Sequence, residues 1–367
     1  MKRNFNNQKL NDFKIPFYIT IMKAVSYALQ EVYFRRRDSM MKEEPKSLAK
    51  SQKGMVQSKT KKKASIIHNI IKYRVLCLMC LPAILFFLIF SYIPMPGVYI
   101  AFTNFNYAKG IFGSDFIGID NFKFLFTSGK ITMLTRNTLL YNLAFILIGN
   151  TIQIFVAILL NEIRSKYFKK FSQTLMFLPY FISAVLVGLL VYNLLNYDFG
   201  FVNSIIKELD GTPLKLYSNK YVWPFIIVLI QMWQQTGYGS IVYFASIMGI
   251  DSEIIEAAKV DGVNAFQKIR YIILPSLKPT VIILLLFSMG SILKGNFGLF
   301  YNIIGASNSM LFPTTDIIET YVFRTMMNNF NFTQASAVGL YQSVFGFAVV
   351  MLCNWVVKKI DSDYALF

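Results

Sequence analysis

Glu256-Ala257-Ala258-Lys259-Val260-Asp261-Gly262, followed after nine residues by Ile272-Ile273-Leu274-Pro275, decides how this chain is read. The stretch is polar and lies between long apolar runs at about 221–250 and from 277 onward, so in a bilayer it is a loop joining two neighbouring spans. Asp251 or Ser252 can accept the first free N–H groups of a helix, and Glu253 and Glu256 sit near its positive end, where carboxylates are favoured. Ile254, Ala257 and Ala258 share one small, close-fitting face at helical spacing. Gly262 permits a turn that a Cβ resists. Val263, Phe266, Ile269 and Ile273 then form an apolar stripe, with Lys268 and Arg270 off it, and Pro275 is expected to end the pattern. The expected object is a helix, a bend and a second helix.

The solvent around that loop follows from composition. Of 367 residues, 55% are hydrophobic and 15% charged, with a mean hydropathy of +0.47, whereas a soluble domain carries about a quarter charged residues. A formal net charge of +18 raises nucleic acid as a partner. The apolar excess and the uneven placement of the charges assign it to membrane orientation instead. Cys77-x-x-Cys80 and Cys353 fall in apolar segments with no second pair or neighbouring His, and read as packing or lipid-facing residues, not metal ligands. His68, the single histidine, sits in a basic segment and reads as solvated.

Residues 1–74 hold eighteen of the 37 Lys and Arg against five acids and are expected to be a cytoplasmic extension. Within it, residues 13–34 suit an amphipathic helix in the membrane interface, since Lys23 interrupts any span. The stretch 35–65 reads as a solvated linker. A signal peptide is not expected, because the first clear apolar run starts about 75 residues in and no small-residue cleavage site follows. From there to residue 367 runs a membrane domain with spans expected at about 75–95, 137–161, 173–197, 222–247, 277–298 and 335–357. An even count returns the C-terminus to the starting side. The short basic loops agree: Arg164, Lys166, Lys169 and Lys170, then Lys259, Lys268, Arg270 and Lys278, then Lys358 and Lys359 all fall inside.

Several activities are excluded by what the chain lacks. Ser128-Gly129-Lys130 is the nearest approach to a phosphate-binding loop, but Ile131 stands where Ser or Thr should hold magnesium and Phe124 where the first glycine should be. Energy must come from another subunit. The expected spans hold no Asp or Glu, which discourages a proton-coupled carrier, and no catalytic set sits at a membrane edge. What the spans do hold is amides and aromatics. Gln231, Gln234, Gln235 and Tyr238 follow the spacing i, i+3, i+4, i+7 on the fourth span and form one stripe, with Trp233 pointing elsewhere. Asn142, Asn150 and Gln153 on the second span, and Lys294 and Asn296 at the end of the fifth, extend the inventory. Such groups avoid lipid, so they face a partner helix or a wet path.

The 256–275 spacing resembles the cytoplasmic loop signature of binding-protein-dependent ABC importer permeases. Phe102-Thr103-Asn104-Phe105, Gly118-Ile119-Asp120-Asn121-Phe122 and Arg136-Asn137-Thr138 resemble the carbohydrate-uptake, maltose-permease-like type, and most of all its lipoprotein-associated oligosaccharide and polysaccharide branch. The resemblance covers about residues 75–367 and implies an all-α integral membrane fold, a six-helix type I permease core carrying the N-terminal extension. It implies that Glu256, Ala257, Ala258, Asp261, Gly262, Leu274 and Pro275 couple the chain to an ATPase, Glu256 being the docking carboxylate. Gln231, Gln234, Gln235, Tyr238, Asn150 and Lys294 are the expected substrate path. The expected partners are a second homologous permease in a heterodimer, two ATPase subunits that bind ATP and Mg, an external solute-binding protein, a carbohydrate and lipid, with no cofactor or metal in this chain and no nucleic acid. The cell membrane of a bacterium, with both termini in the cytoplasm, is the expected location. Alternatives are an importer of a non-sugar solute, a proton-coupled carrier, or a scaffold anchoring a basic arm at anionic lipid.

Overall fold

The computed structural model describes residues 73–360. The extension expected over 1–74, with its interfacial helix and linker, therefore lies outside the described residues apart from Tyr73 and Arg74. By contacts the chain divides after Cys80. Of the first unit only 73–80 is described, and it contributes the start of the first helix, α1, Arg74–Phe87. The second unit carries everything after it.

Among the described residues the regular secondary structure is almost entirely helical. The exception is a two-residue antiparallel pair, Thr103–Asn104 with Asp115–Phe116. The main elements after α1 are α2 (Asp120–Thr127), α3 (Lys130–Glu162), α4 (Lys166–Phe177), α5 (Ala184–Leu195), α6 (Phe201–Glu208) and α7 (Trp223–Met248). They are followed by α8 (Ser252–Val260), α9 (Ala265–Lys268), α10 (Leu274–Met289), α11 (Phe297–Ile304), α12 (Ile318–Met327) and α13 (Phe332–Ile360).

Four helical stretches are long and apolar enough to cross a bilayer: Arg74–Phe102, Lys130–Glu162, Ala265–Met289 and Phe332–Lys359. The pair Lys166–Phe181 and Ala184–Leu195 makes a fifth if its 94° bend is one broken span. The stretch expected as a span at 173–197 is built of these two helices. The chain stays helical through Pro179 to Phe181, Ile182 turns extended at φ −73°, ψ 126°, and Ser183 then caps α5 by accepting from Leu186 N at 3.4 Å. The 26-residue α7 is long enough to span, yet Gln231, Gln234 and Gln235 fall in its middle and it is not among the four.

Where a span is expected at 277–298, the long apolar helical stretch runs Ala265–Met289. Pro275 does not end the helix. A widened π turn over Ile269–Ile273, with Leu274 N donating to Ile269 O, precedes the proline. A π turn relocates the carbonyl that the proline ring would strike, so α9 runs on into α10.

Three clusters form the interior. One gathers Trp223 and Ile227 of α7, Val187 of α5, and Leu299 and Phe300 of α11. A second joins Ala101, Leu134, Ile318 and Val338. The third packs Ala157, Tyr243, Ile273 and Leu277. Side chains of the quoted outer motifs pin distant backbone. Asn121 donates to Ala101 O at 2.8 Å, Asn137 donates to Asp316 O at 3.1 Å, and Thr138 Oγ1 accepts from Ile318 N at 3.1 Å. Asp316, fully buried, meets Arg324 at 2.6 Å and accepts from Thr320 Oγ1 at 2.8 Å, so its charge is both paired and hydrogen-bonded.

Candidate functional site

Two features stand out, a polar cavity beside α7 and the loop between α7 and α10. The cavity, about 420 Å³, is bounded by α3, α7, α10 and the segment 290–296. That segment leaves the helix at Gly290 and resumes it at α11, where Asn296 Oδ1 caps Leu299 N at 3.1 Å. Its carbonyls are satisfied from α3 and α13, and the side chain of Asn296 is held by α7. Asn142 donates to Ile292 O at 2.8 Å and to Lys294 O at 3.2 Å. Gln342 of α13 donates to Leu293 O at 2.7 Å, and Asn296 donates to Gln231 Oε1 at 3.1 Å. Unwound backbone inside a membrane protein persists where it is paired this way or lines a cavity.

Gln231, Gln235, Tyr238, Asn150 and Lys294 all line this cavity. Asn150 is fixed by Tyr243 Oη at 2.5 Å and donates to Ile146 O at 2.6 Å. Tyr238 stacks on Tyr180, centroids 4.7 Å apart and planes 11° apart, which presents a fixed aromatic face. Gln234 is placed differently. It is buried and donates to Ile182 O at 3.1 Å, in the break between α4 and α5. Asn142, Gln153 and Asn296, which the sequence reading counted as polar span residues without assigning them to the path, also line the cavity, as do Phe287, Ser288 and Ser291. Gln153 reaches it because position 239 is glycine: a Cβ there would collide with the Gln153 amide.

Glu319 was not expected near the path, since it lies outside every anticipated span. α12 carries it to the unwound segment, where Oε1 accepts from Gly295 N at 2.6 Å and from Gln342 Nε2 at 2.7 Å, while the buried Oε2 has no hydrogen-bond partner. No sequence signal marked it, because the contact depends on how α12 packs. A second cavity of about 570 Å³ lies between α5 and α11 and is lined by Tyr192, Tyr217 and Asn302. Burial, with Tyr192 adding, pushes the Tyr217 phenol up to about 12, so it stays a neutral donor.

The loop is built by local chemistry. Asp251 caps α8, its carboxylate accepting from Glu253 N at 3.0 Å. At the other end Val263 N donates to Ala258 O at 3.0 Å and Gly262 N to Lys259 O at 3.2 Å, with Gly262 at φ +72°. This is a Schellman ending, which needs a left-handed residue at that place. Asn264 and Gln267 then form a reciprocal capping box for α9, at 2.8 Å and 2.9 Å. Lys268 pairs with Glu162 at 2.7 Å, tying the loop to the end of α3. Ala258 and Ile273 turn inward, whereas Glu256, Ala257, Asp261, Leu274 and Pro275 are exposed. Ile254, Val260 and Phe266 are exposed beside them, Val260 at 87%. The loop therefore presents an acidic and apolar outer face that no described residue covers.

A family model for the binding-protein-dependent transport system inner membrane component matches residues 149–362. The polygalacturonan/rhamnogalacturonan transport system permease protein YteP of Bacillus subtilis (strain 168) is 33% identical over 305 residues, 83% of this chain and 94% of that protein. Protein LplB of the same organism is 33% identical over 288 residues, 78% of this chain and 90% of that one. Among solved structures, a chain of a bacterial alginate ABC transporter, in complex with an alginate pentasaccharide-bound periplasmic protein, is 31% identical with a TM-score of 0.72. That match covers 81% of this chain and 98% of the other.

Proposed function

This chain belongs to the binding-protein-dependent transport system inner membrane component family as a permease for oligosaccharide or polysaccharide import, and we propose how it carries out that work. It has six spans, α7 being the one whose amides lower its hydropathy, with both termini in the cytoplasm of a bacterial cell. It is non-catalytic. Two separate ATPase subunits bind ATP and Mg, a second homologous permease completes the pathway as a heterodimer, and an external binding protein delivers the solute. Basic loops at 161–173 and 251–278 support the orientation. The names of the relatives and of the alginate transporter structure support both the carbohydrate and the delivery by a binding protein.

The observation that carries the path assignment is the cavity beside α7. Its lining offers amides from several helices, an aromatic face at Tyr238 and no Asp or Glu. Carbohydrates are held by amide hydrogen bonds to hydroxyls and by flat apolar contact with a ring, and a site built to pair hydroxyls discriminates against solutes lacking them. Gln231, Gln235, Tyr238, Asn150 and Lys294 form the path. Gln234 orders the break between α4 and α5 instead. Glu256, Ala257, Ala258, Asp261, Gly262, Leu274 and Pro275 belong to the ATPase-coupling surface.

Reconstituted importer carrying Gln231→Leu with Gln235→Leu should assemble with its ATPases and lose roughly tenfold or more in sugar uptake, two hydrogen bonds at about 1 kcal/mol each. Gln234→Leu should instead lower the yield of folded complex while uptake per folded molecule persists. Normal uptake by the double variant removes the path assignment.

A further inference from the structure

We infer that Glu319, carried by α12, is a positioning residue of the translocation path: it fixes the unwound segment 290–296 so that Asn296 keeps Gln231 aimed into the cavity. The inference rests on the carbohydrate-import reading above and adds to that path a residue that never meets the solute.

Glu319 acts from a fixed base. Ile317 and Ile318 before it are fully buried, Ile317 N donates to Thr320 Oγ1 at 3.0 Å, and Ile318 N is held by Thr138. The start of α12 is thus placed without the Glu319 carboxylate. The segment it reaches is the opposite case, because Gly295 N has no backbone acceptor among the described residues and depends on Glu319 Oε1 at 2.6 Å. Gln342 Nε2 closes a ring around Lys294 by donating to the same Oε1 and to Leu293 O, each at 2.7 Å. Hydrogen bonds to a carboxylate oxygen are charge-assisted and about twice as strong as neutral ones. Glycine at 295 permits this approach, since a Cβ there would lie 2.8 Å from Glu319 Oε2 and collide with Ile317.

The ring closes one residue before Asn296, whose side chain faces two ways. Its Oδ1 caps α11 at Leu299 N, and its Nδ2 donates to Gln231 Oε1 at 3.1 Å. That bond occupies the oxygen of Gln231 and leaves Nε2 to donate to a solute hydroxyl in the cavity both residues line. Without Glu319 the Gly295 amide must find another acceptor. Turning that peptide swings Asn296 off Gln231, since residues 295 and 296 are consecutive on an unwound backbone. Glu319 therefore shapes the path at two removes, through Gly295 and Asn296. Groups that bind a solute keep their geometry only when supporting hydrogen bonds lock them.

The test is a double-mutant cycle in the complete importer, permeases with their ATPases in proteoliposomes and the binding protein added, with uptake counted per folded complex. The probes are tritiated oligosaccharides from polygalacturonan, alginate and galactan. Glu319→Leu and Gln231→Leu should each lower uptake roughly fivefold, the loss of about one hydrogen bond. Together they should fall no more than about twofold below either alone, because both act through one group. Glu319→Gln keeps the accepting oxygen and should stay within about twofold of wild type. A role confined to stability predicts another pattern: normal uptake per folded complex for Glu319→Leu, or losses that multiply to about 25-fold in the double variant. Either result overturns the inference, as does normal uptake by Gln231→Leu or a Glu319→Gln variant as poor as Glu319→Leu. Where Glu319→Leu yields no folded complex, Glu319→Asp, which withdraws the carboxylate by one methylene, takes its place with the same outcomes. Wild-type complex that carries none of the probes removes the import reading and this inference with it, whereas wild-type uptake with a multiplicative cycle removes this inference alone.

Discussion

Glu256→Lys is expected to abolish uptake while leaving the permease inserted and folded. α8 is held by its own caps, Asp251 at one end and the Schellman ending at Gly262 at the other. Glu256 is exposed and makes no ion pair with a described residue. Reversing its charge therefore breaks no ion pair and costs the fold only the helix-end term, about 0.3–1 kcal/mol. If Glu256 docks in a basic cleft of the ATPase, the change sets like charges against each other at an interface, at a cost on the order of several kcal/mol. Each 1.4 kcal/mol is tenfold in affinity, so ATPase association should fall by roughly a hundredfold or more. Quantifying the ATPase retained on affinity-purified permease, together with uptake into proteoliposomes, decides the matter. Unchanged uptake with the ATPase still bound would sink the docking role.

Gly237→Ala should be the most damaging added methyl among the described glycines. Gly237 is buried on α7 where the end of α4 crosses it, and a Cβ there would collide with Met176 O and crowd Phe177 N at 3.0 Å. Both obstacles are backbone, so no rotamer change relieves them. Small residues allow this kind of close helix approach in membranes. Forcing the helices apart costs about 3 kcal/mol or more, the upper end for overpacking, and disturbs the Gln234 contact to Ile182 beside it. Gly339→Ala on α13 is the matched control, since a Cβ there meets nothing within 4 Å. Fluorescence-detected size exclusion after graded heating should show a lowered midpoint and yield for Gly237→Ala and wild-type behaviour for Gly339→Ala. Equal behaviour of the two would refute the close-packing argument.

The stripe on α7 shows where sequence reading stops. At 100° per residue, Gln235 and Tyr238 lie within about 40° of Gln231, while Gln234 lies about 60° away at the edge. Periodicity groups all four. Only the position of Ile182 decides that Gln234 faces the α4–α5 break while the other three face the cavity. Pro275 teaches a related lesson: the proline was legible, but the π turn that accommodates it arises from the widened backbone of Ile269–Ile273, which propensity does not encode.

By itself the sequence determined whatever rests on near neighbours or on solvent: the long apolar helices, the cap at Asp251, the turn at Gly262, and the carboxylates at the start of α8. Those features are closed by hydrogen bonds across a few residues or by transfer into lipid, so local order suffices to specify them. Only the tertiary structure decided that Asn137 holds the 313–316 segment, 179 residues away at Asp316, that Glu319 and Gln342 clamp the unwound segment before α11, and that Asn150 and Lys294 line one cavity with Gln231 and Tyr238. Each of these is set by how separate helices pack, and the pairing of distant polar groups is fixed by that packing, not by spacing along the chain.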